Sequence, residues 1–386
     1  MRTQIYMDAN ATTPLAPEVV EAMRPYWIEQ FGNPSSIHAQ GQQAHAAVDR
    51  ARESLARLFH CNEAEVIFTG GGTEGDNSAI FGMMRPGDHL ITTSIEHRAV
   101  LQPAEYSAAR GVEVTYLCPQ PNGAISAEAV RAAITPRTRL ISVMLANNET
   151  GVLQPVEEIG RIAAEAGVYF HTDAVQGAGK VHLDVDRIGC HLLTVSGHKF
   201  HGPKGVGALY VRPGTPLEPF IVGGSHERRM RAGTVNVPAV VGLAKAADLA
   251  IASLTDGTEA RLVRLRNRLE AGMLAIEGTA VNGAGAPRTA NTTNIRFEGV
   301  DGAALMIALD LKGLAVSGGS ACHSGAVEPS HVLIAMGLDK NAANASLRFS
   351  LLRTATKEDV DYALHVVPDA VERLRKLSPI ETGTLA

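Results

Sequence analysis

The sequence predicts an α/β protein with a large domain built on a mostly parallel, seven-stranded sheet and a smaller α+β domain. Three observations lead to this prediction. Short apolar runs alternate with helical patterns between residues 66 and 211, which is typical of crossover connections in a parallel sheet. The pattern changes near residue 257, where long helical segments lead into shorter mixed elements. The 386 residues, 45% of them hydrophobic, are enough for a large core.

The elements of the first part follow from the spacing of apolar residues. After a polar, turn-rich start, helical patterns are expected from about residue 17 and over residues 40–59, where apolar side chains recur on one side. Helical segments separate the first five of the apolar runs that follow. The predicted strands of the large sheet are residues 66–69, 89–93, 112–117, 140–145, 168–172, 192–195 and 206–211.

The second part begins after two long helices, which we expect over about residues 236–254 and 258–276. A mixed pattern of short strands and helices follows them. The predicted strands are residues 292–297, 314–317 and 346–350, and the predicted helices are residues 302–309, a segment beginning near Ser330, and residues 357–377. Residues 378–386 are expected to form a frayed tail.

Composition excludes several classes of function. The net charge is −5 and there is no run of lysine or arginine, so nucleic acid is not expected as a partner. The start has no apolar signal core, and no stretch approaches the roughly 18 apolar residues of a membrane span. We therefore expect a soluble, cytoplasmic protein without membrane contact.

The four cysteines are widely spaced, which argues against a disulfide framework. His198 and His201 lack a third ligand at a supporting spacing, so no metal site is predicted.

Polar side chains follow several of the predicted strands. His97, Asn148, Asp173 and Lys199 each come just after an apolar run. Carboxyl ends of parallel strands meet at one edge of an open sheet, where ligands bind. A desolvated lysine has a lowered pKa and forms Schiff bases, and a buried carboxylate needs a cation such as a protonated pyridine nitrogen. The hypothesis is that Lys199 carries the aldehyde of pyridoxal 5'-phosphate (PLP); a solvated loop lysine is the alternative.

A glycine-rich turn follows the first strand of the large sheet. Residues 70–75 match the pattern G-x-G-x-x-G, and Glu96 lies about 20 residues further on, as in dinucleotide-binding folds. The backbone N–H groups of glycines at a helix N-terminus bind a phosphate of any cofactor, and the hydroxyl of Thr73 adds a donor. A general phosphate site and a dinucleotide site both remain open at this point.

Two residues of the second part also indicate chemistry. Cys322 lies among small residues, in a loop that can expose a thiol, and the adjacent His323 can favour its thiolate form. Cys61 and Cys190 lie beside apolar runs and are expected to be inert. Arg348 lies inside an apolar strand and needs an anion, which is either a substrate carboxylate or a structural ion-pair partner.

Together these residues resemble the cysteine desulfurases of the NifS/IscS family, within the class V aminotransferase group of PLP enzymes. The matching motifs cover nearly the whole chain. They are residues 8–14, 31–36, 73–74, 96–97, 147–149, 173–176, 196–199, 226–234, 320–322 and 328–331. The resemblance implies the PLP-dependent transferase fold type I. It also implies a large PLP-binding domain of residues 13–257, and a small domain of residues 1–12 and 258–386 that carries the catalytic cysteine loop.

The resemblance also implies roles for individual residues. Lys199 resembles the Schiff-base lysine, Asp173 the partner of the pyridine nitrogen, and His97 the residue that stacks on the ring and acts as acid and base. Arg348 resembles the residue that binds the substrate carboxylate, and Cys322 the nucleophile that takes the sulfur. Further implied contacts to cofactor or substrate are Gln176 and Asn148 at the ring oxygen and substrate, Thr73, Ser196 and His198 at the phosphate, and Thr234 from the other subunit of a homodimer.

The implied reaction converts L-cysteine to L-alanine and leaves a persulfide on Cys322. The sulfur then passes to an acceptor or scaffold protein, for iron–sulfur cluster assembly or for thio-cofactor or tRNA biosynthesis. A selenocysteine lyase, another class V PLP lyase, and a sulfur-carrier or regulatory protein without turnover are the alternatives. Two departures stand out. His323 replaces an expected small hydroxyl residue, and the tail after Ser378 is short, which leaves docking to a scaffold protein open.

Overall fold

The structure is a computed structural model that describes residues 4–318 and 328–377. The strands are β1 (Ile5–Tyr6), β2 (Val66–Thr69), β3 (His89–Thr93), β4 (Glu113–Leu117), β5 (Thr138–Ser142), β6 (Tyr169–Asp173), β7 (Leu192–Ser196), β8 (Gly207–Val211), β9 (Thr279–Asn282), β10 (Thr292–Phe297), β11 (Leu314–Ala315) and β12 (Ser346–Ser350). The helices are α1 (Pro17–Met23), α2 (Pro25–Ile28), α3 (Ala39–Phe59), α4 (Gly72–Met83), α5 (Arg98–Ala108), α6 (Ala127–Ala133), α7 (Val156–Ala166), α8 (Val185–Ile188), α9 (Val237–Ser253), α10 (Thr258–Leu274), α11 (Gly302–Leu311), α12 (His331–Ala335), α13 (Lys340–Asn344) and α14 (Lys357–Leu377).

The large sheet contains seven of the described strands, in the order β2-β8-β7-β6-β5-β3-β4. Neighbours from β4 to β7 are parallel, whereas β8 runs antiparallel to both β7 and β2. All residues of β2, β3 and β7 are buried, because helices cover both faces of the sheet. The predicted α/β class and the mostly parallel, seven-stranded sheet are therefore confirmed.

Helix α4 lies close against the carboxyl ends of β6 and β7 because its first turns contain glycine. A Cβ atom on Gly75 would lie 2.6 Å from Cγ2 of Thr194, and one on Gly72 would lie 2.8 Å from Cγ2 of Val175. Real Cβ atoms do not approach other atoms so closely. The glycines therefore bring the N-terminus of α4 to the sheet edge where the predicted site residues lie.

The second sheet contains β10 between β9 and β12, all antiparallel. Helices α10 and α14 pack beside it. Their apolar residues join those of the strands in a cluster that includes Leu269, Ile295, Phe297, Phe349 and Val367. The predicted domain boundaries, at residues 12/13 and 257/258, stay a prediction.

The N-terminal segment connects the second sheet to the edge of the large one. β1 pairs in parallel with β11, and the N–H groups of Ala9 and Asn10 donate to the carbonyl and hydroxyl oxygens of Ser350. Residues 8–11 then run past the carboxyl ends of β6 and β7, where they contact Gln176 and Lys199. Asn10 and Ala11 form part of one wall of the cavity described below.

The structure differs from the sequence-based expectation in a few elements. The strand predicted over residues 140–145 ends at Ser142, although the N–H groups of Val143 and Leu145 still bond to carbonyls of the neighbouring strand segment. β1, β9, α8 and α13 were not expected, because segments of two to five residues are too short to show a clear period. Cys322, His323 and the predicted tail over residues 378–386 lie outside the described residues.

Candidate active site

A cavity of about 800 Å³ lies at the carboxyl ends of β2, β3, β5, β6 and β7. This is the edge at which open α/β sheets place their ligands. The predicted site residues that line it are Thr73, His97, Asn148, Asp173, Gln176, Ser196, His198, Lys199 and Arg348. Residues that are far apart in the sequence therefore meet in one space, as the positions after the strands indicated.

Lys199 ends a 3₁₀ turn that follows directly on β7. Its Nζ donates to the carbonyl oxygens of Asn10 and Ala11, both at 2.8 Å. Burial and the guanidinium of Arg348 lower the pKa of Lys199 to about 8, while Asp173 and Asp8 oppose this shift. Among the described residues, only backbone carbonyls accept hydrogen bonds from this amine, and part of its population is neutral near neutral pH.

Asp173 is the last residue of β6, and its side chain is buried. Oδ1 accepts the backbone N–H of Val175 at 2.8 Å. Burial, together with the nearby carboxyl of Asp76, raises the pKa of Asp173 to about 7. A carboxyl group in this position is destabilised as an anion, and a cation bound beside it in the cavity would restore its ionised form.

His97 caps the N-terminus of α5, just after β3. Its Nδ1 accepts the backbone N–H of Ala99 at 3.1 Å, which leaves Nε2 as the protonated nitrogen of the neutral ring. Burial lowers the pKa of His97, and the carboxyl of Asp173 partly offsets that effect. The imidazole is therefore neutral at physiological pH and lines the cavity as a flat ring.

The N-terminus of α4 lines one part of the cavity. Gly71 precedes the helix with φ of 141°, a backbone conformation that favours glycine. Ser196 lies beside it, because a Cβ atom on Gly72 would come within 3.4 Å of the Ser196 Cβ. The first N–H groups of a helix have no partner within the helix, so an anion can bind here between the helix end and Ser196.

Arg348 has the structural ion-pair partner that its sequence context allowed, and it also faces the cavity. Its Nη2 forms an ion pair with Oδ1 of Asp8 at 2.6 Å, and its Nη1 donates to the carbonyl oxygen of Asn148 at 2.9 Å. Its Nε is buried without a partner among the described residues. The structural ion pair is therefore present, yet the guanidinium lines the cavity and keeps N–H groups for a further anion.

One described residue among the predicted ones, Thr234, does not belong to this cavity. Thr234 is exposed and does not line the cavity of its own chain. Cys322 lies outside the described residues. Glu96, the residue that a dinucleotide site would use, is fully buried; its Oε1 accepts the Thr93 hydroxyl and the Met144 N–H. Glu96 is therefore turned away from any ribose in the cavity.

Several residues that sequence reasoning gave no role also belong to the site or to its support: Asn10, Asp76, His171, Lys180 and His331. Asp76 and His171 face each other at 3.5 Å in the interior, beneath Asp173. His331 donates from Nε2 to the Glu96 carbonyl oxygen. Local sequence gives little sign of these contacts, apart from polar residues that stand inside apolar segments.

Comparison with known proteins agrees with this fold. A sequence profile of the class-V aminotransferases matches residues 5–363. The chain belongs to the class-V aminotransferase family, whose members are PLP-dependent enzymes, and within it to the cysteine desulfurases.

The relatives show how far the similarity extends. The chain is 49% identical over 380 residues to a cysteine desulfurase IscS from Methanosarcina thermophila, with 97% of this chain and 94% of the relative covered. A solved NifS-like protein has a TM-score of 0.90 and 34% identity over 96% of this chain and all of its own. SspA, solved in complex with cysteine, has a TM-score of 0.81 and 36% identity, covering 92% of this chain and 100% of its own.

The resemblance to cysteine desulfurases is therefore confirmed, and so is the expectation of an enzyme of that type. Among the described helices, no single one is long and apolar enough to cross a membrane; α9 and α10 reach that length and composition only as a pair bent by 75°. The cytoplasmic location and the homodimer stay predictions.

Proposed function

We propose that the chain binds PLP in the cavity and acts as an L-cysteine desulfurase through the residues named above. The observation that supports this most directly is the meeting of three groups in one cavity. These are the amine of Lys199, the buried carboxyl of Asp173, and the glycine-rich N-terminus of α4. Each suits a different part of PLP: the aldehyde, the pyridine nitrogen and the phosphate.

The fit is supported by features that have no other evident use. Asp173 is a buried carboxyl without a cationic partner among the described residues, and a protonated pyridine nitrogen supplies one. Gly71 and Gly72 leave the helix end open beside Ser196, where a phosphate accepts several backbone N–H groups. His198, whose Nδ1 contacts the Thr12 hydroxyl at 3.0 Å, and Thr73 complete that side.

Bound PLP supplies an electron sink that weakens the bonds at the α-carbon and activates the side-chain sulfur of cysteine. The protein moves the protons. The amine of Lys199, with a pKa of about 8, can accept a proton near neutral pH. His97 has Nδ1 engaged with the Ala99 N–H, so Nε2 is the atom left for proton exchange in the cavity. Gln176 and Asn148 line the same space and offer amide groups to the ring oxygen and the substrate.

The substrate is oriented by Arg348 in this proposal. Its guanidinium keeps N–H groups beyond those that bind Asp8 and the Asn148 carbonyl. A carboxylate forms two parallel hydrogen bonds with such a group, which fixes the amino acid relative to Lys199.

Cys322 completes the reaction in the proposal. Its thiolate attacks the sulfur of cysteine, so that one C–S bond breaks and one S–S bond forms. L-Alanine leaves with a proton on its β-carbon, and Cys322 keeps the sulfur as a persulfide. A thiolate is the reactive form, so this step needs a pKa below the usual value of about 8.5 for a free cysteine. An acceptor or scaffold protein then takes the sulfur.

The phosphate site is completed by a second copy of the chain, we propose, through Thr234. This residue is exposed, yet Arg231 nearby forms an ion pair with Glu74 at 2.9 Å, and Glu74 also accepts the Gly70 N–H. Arg231 thus anchors this segment beside the helix end of its own chain, while Thr234 itself is exposed and open to contact with a second copy. Light scattering should show that the wild-type protein is a dimer. The Thr234→Ala protein should remain a dimer and bind PLP more weakly. A wild-type monomer with full PLP affinity would contradict this arrangement.

The function is tested on purified protein supplied with PLP. We expect a visible absorption band, and release of alanine and of reducible sulfur in equal amounts when L-cysteine is added. Cys322→Ala should keep the band and lose sulfide release. A protein that takes up no PLP, or that releases sulfide normally after Cys322→Ala, contradicts the proposal. A rate on selenocysteine far above that on cysteine would instead favour the selenocysteine lyase alternative.

A further inference from the structure

Lys180 has an amine behind the site, against two of its lining residues, that the reaction above does not use. Lys180 lies seven residues beyond Asp173, after the turn that carries Gln176. Its Nζ donates to Oε1 of Gln176 at 2.5 Å and to Oδ1 of Asn10 at 2.9 Å. Both acceptor side chains are buried. An amide oxygen only accepts hydrogen bonds, so both contacts are donated by the amine.

These contacts fix the orientation of the Gln176 carboxamide. Its oxygen faces the Lys180 amine, and its Nε2 donates to the carbonyl oxygen of Asn10 at 2.9 Å. Rotation of the amide by half a turn would place its oxygen against the Asn10 carbonyl oxygen and lose both bonds. The NH₂ group therefore keeps its position at the cavity, with one N–H left for a bound oxygen anion.

The same amine also supports the segment that holds Lys199. Asn10 accepts from Lys180 through its side chain and from Lys199 through its carbonyl oxygen at 2.8 Å. No carboxylate contacts Lys180 among the described residues; its charged neighbours are Lys199 and Arg348. Burial and these cations hold the pKa of Lys180 well below its usual value. The structure supplies two acceptors for this amine, the side-chain oxygens of Asn10 and Gln176.

We propose that Lys180 is a positioning residue for the cofactor, which keeps the N–H side of the Gln176 amide facing the ring oxygen of PLP. Without Lys180, the Gln176 oxygen is buried without a donor, and the amide can turn its oxygen toward the ring oxygen. The Gln176 oxygen and the ring oxygen, which both accept hydrogen bonds, then face each other. This inference rests on the proposed PLP function, because it gives a role to a residue behind that site.

The test is a double-mutant cycle on the PLP-loaded enzyme, with absorbance and PLP affinity as readouts. Lys180→Met keeps the length of the side chain and removes its donors. We expect the absorption band of bound PLP to shift and the affinity to fall about tenfold, or about 1.4 kcal/mol at 25 °C. In a Gln176→Leu background, the same substitution should change both readouts much less, because the amide on which Lys180 acts is missing and only its contact with Asn10 is still lost.

The outcomes separate a positioning role from a structural one. Equal effects of Lys180→Met in both backgrounds would overturn the proposal, as would a Lys180→Met enzyme with the wild-type band and affinity. Lys340→Met, at an exposed helix start, serves as the matched lysine control. If the Lys180→Met protein does not fold, Lys180→Gln is used in the cycle in its place. A wild-type protein that binds no PLP contradicts the proposed function itself, and is recognised before any variant is compared.

Discussion

The pKa of Lys199 is set by its burial and by its charged neighbours. Burial and Arg348 lower the pKa of Lys199 to about 8. We expect acylation of Lys199 in the PLP-free protein, followed by mass spectrometry, to reach half its maximal rate near pH 8. Arg348→Gln removes a positive charge and should move that midpoint upward. A midpoint near 10.4, the value of an ordinary lysine, in the wild-type protein contradicts the effect of burial.

Burial of the Asp76 carboxyl should make the free energy of unfolding depend on pH. Burial raises the pKa of Asp76 to about 7. Well below pH 4 the carboxyl is protonated in the folded and unfolded chains alike, so its ionisation does not change the free energy of unfolding. As the pH rises to 7, only the unfolded chain ionises freely, and the free energy of unfolding falls.

Asp76→Asn removes that ionisation and keeps the shape of the side chain. In the PLP-free protein we expect it to be more stable than wild type at pH 8, by up to about 4 kcal/mol, and close to wild type at pH 4. Urea unfolding at the two pH values measures the difference. An equal gain at both pH values would show that packing, and not ionisation, sets the effect.

Helix α3 anchors an unusual turn of the chain through one buried ion pair. Glu227, Arg228 and Arg229 have φ values of 43°, 55° and 70°, a left-handed conformation that costs energy in residues with a Cβ. Arg52 on α3 forms two hydrogen bonds with the Glu227 carboxylate, at 2.7 and 2.8 Å. Both side chains are buried, so the pair holds the turn in place before the segment that leads to Thr234.

Arg52→Met leaves the Glu227 carboxylate buried without its cation. We expect a loss of about 3–5 kcal/mol in the free energy of unfolding, measured by urea denaturation. Arg57→Met is the matched control on the same helix. Its pair with Asp248 is more than 40% exposed on both sides, so its loss should cost less than about 1 kcal/mol. Similar losses for the two variants would contradict a special role of the buried pair.

Asn10 connects the two sheets at the scale of the whole molecule. Its Nδ2 donates to the Asn148 carbonyl oxygen at the edge of the large sheet and to the Thr292 hydroxyl on β10. Its side-chain oxygen accepts from Lys180 and Asn291. One buried amide thus joins the N-terminal segment, the active-site cavity and the second sheet.

Asn10→Ala leaves these buried partners without their bonds. We expect the midpoint of urea unfolding of the PLP-free protein to fall, by the equivalent of about 2–4 kcal/mol, because each unsatisfied buried group costs about 1–3 kcal/mol. Asn267→Ala, at an exposed position on α10, should leave the midpoint nearly unchanged. A wild-type midpoint for Asn10→Ala would mean that other contacts hold the two sheets together.

Much of the architecture could be predicted because its signals are local. Apolar runs and the helices between them mark the strands, and parallel strands bring their carboxyl ends to one edge. Placing His97, Asn148, Asp173 and Lys199 at that edge required only the strand boundaries. The short strand β1 and helix α13 were missed, since a few residues carry no recognisable period.

The sequence by itself determined the α/β class, the set of strand-end residues and, through its motifs, the membership of the cysteine desulfurases. Only the tertiary structure decided how those residues are held. The contacts that hold them join residues up to 340 positions apart. They are the network of Lys180, Asn10 and Gln176, the Asp8–Arg348 pair and the Arg52–Glu227 pair. Such contacts depend on strand order and on the distances between packed elements, which no local pattern of residues records.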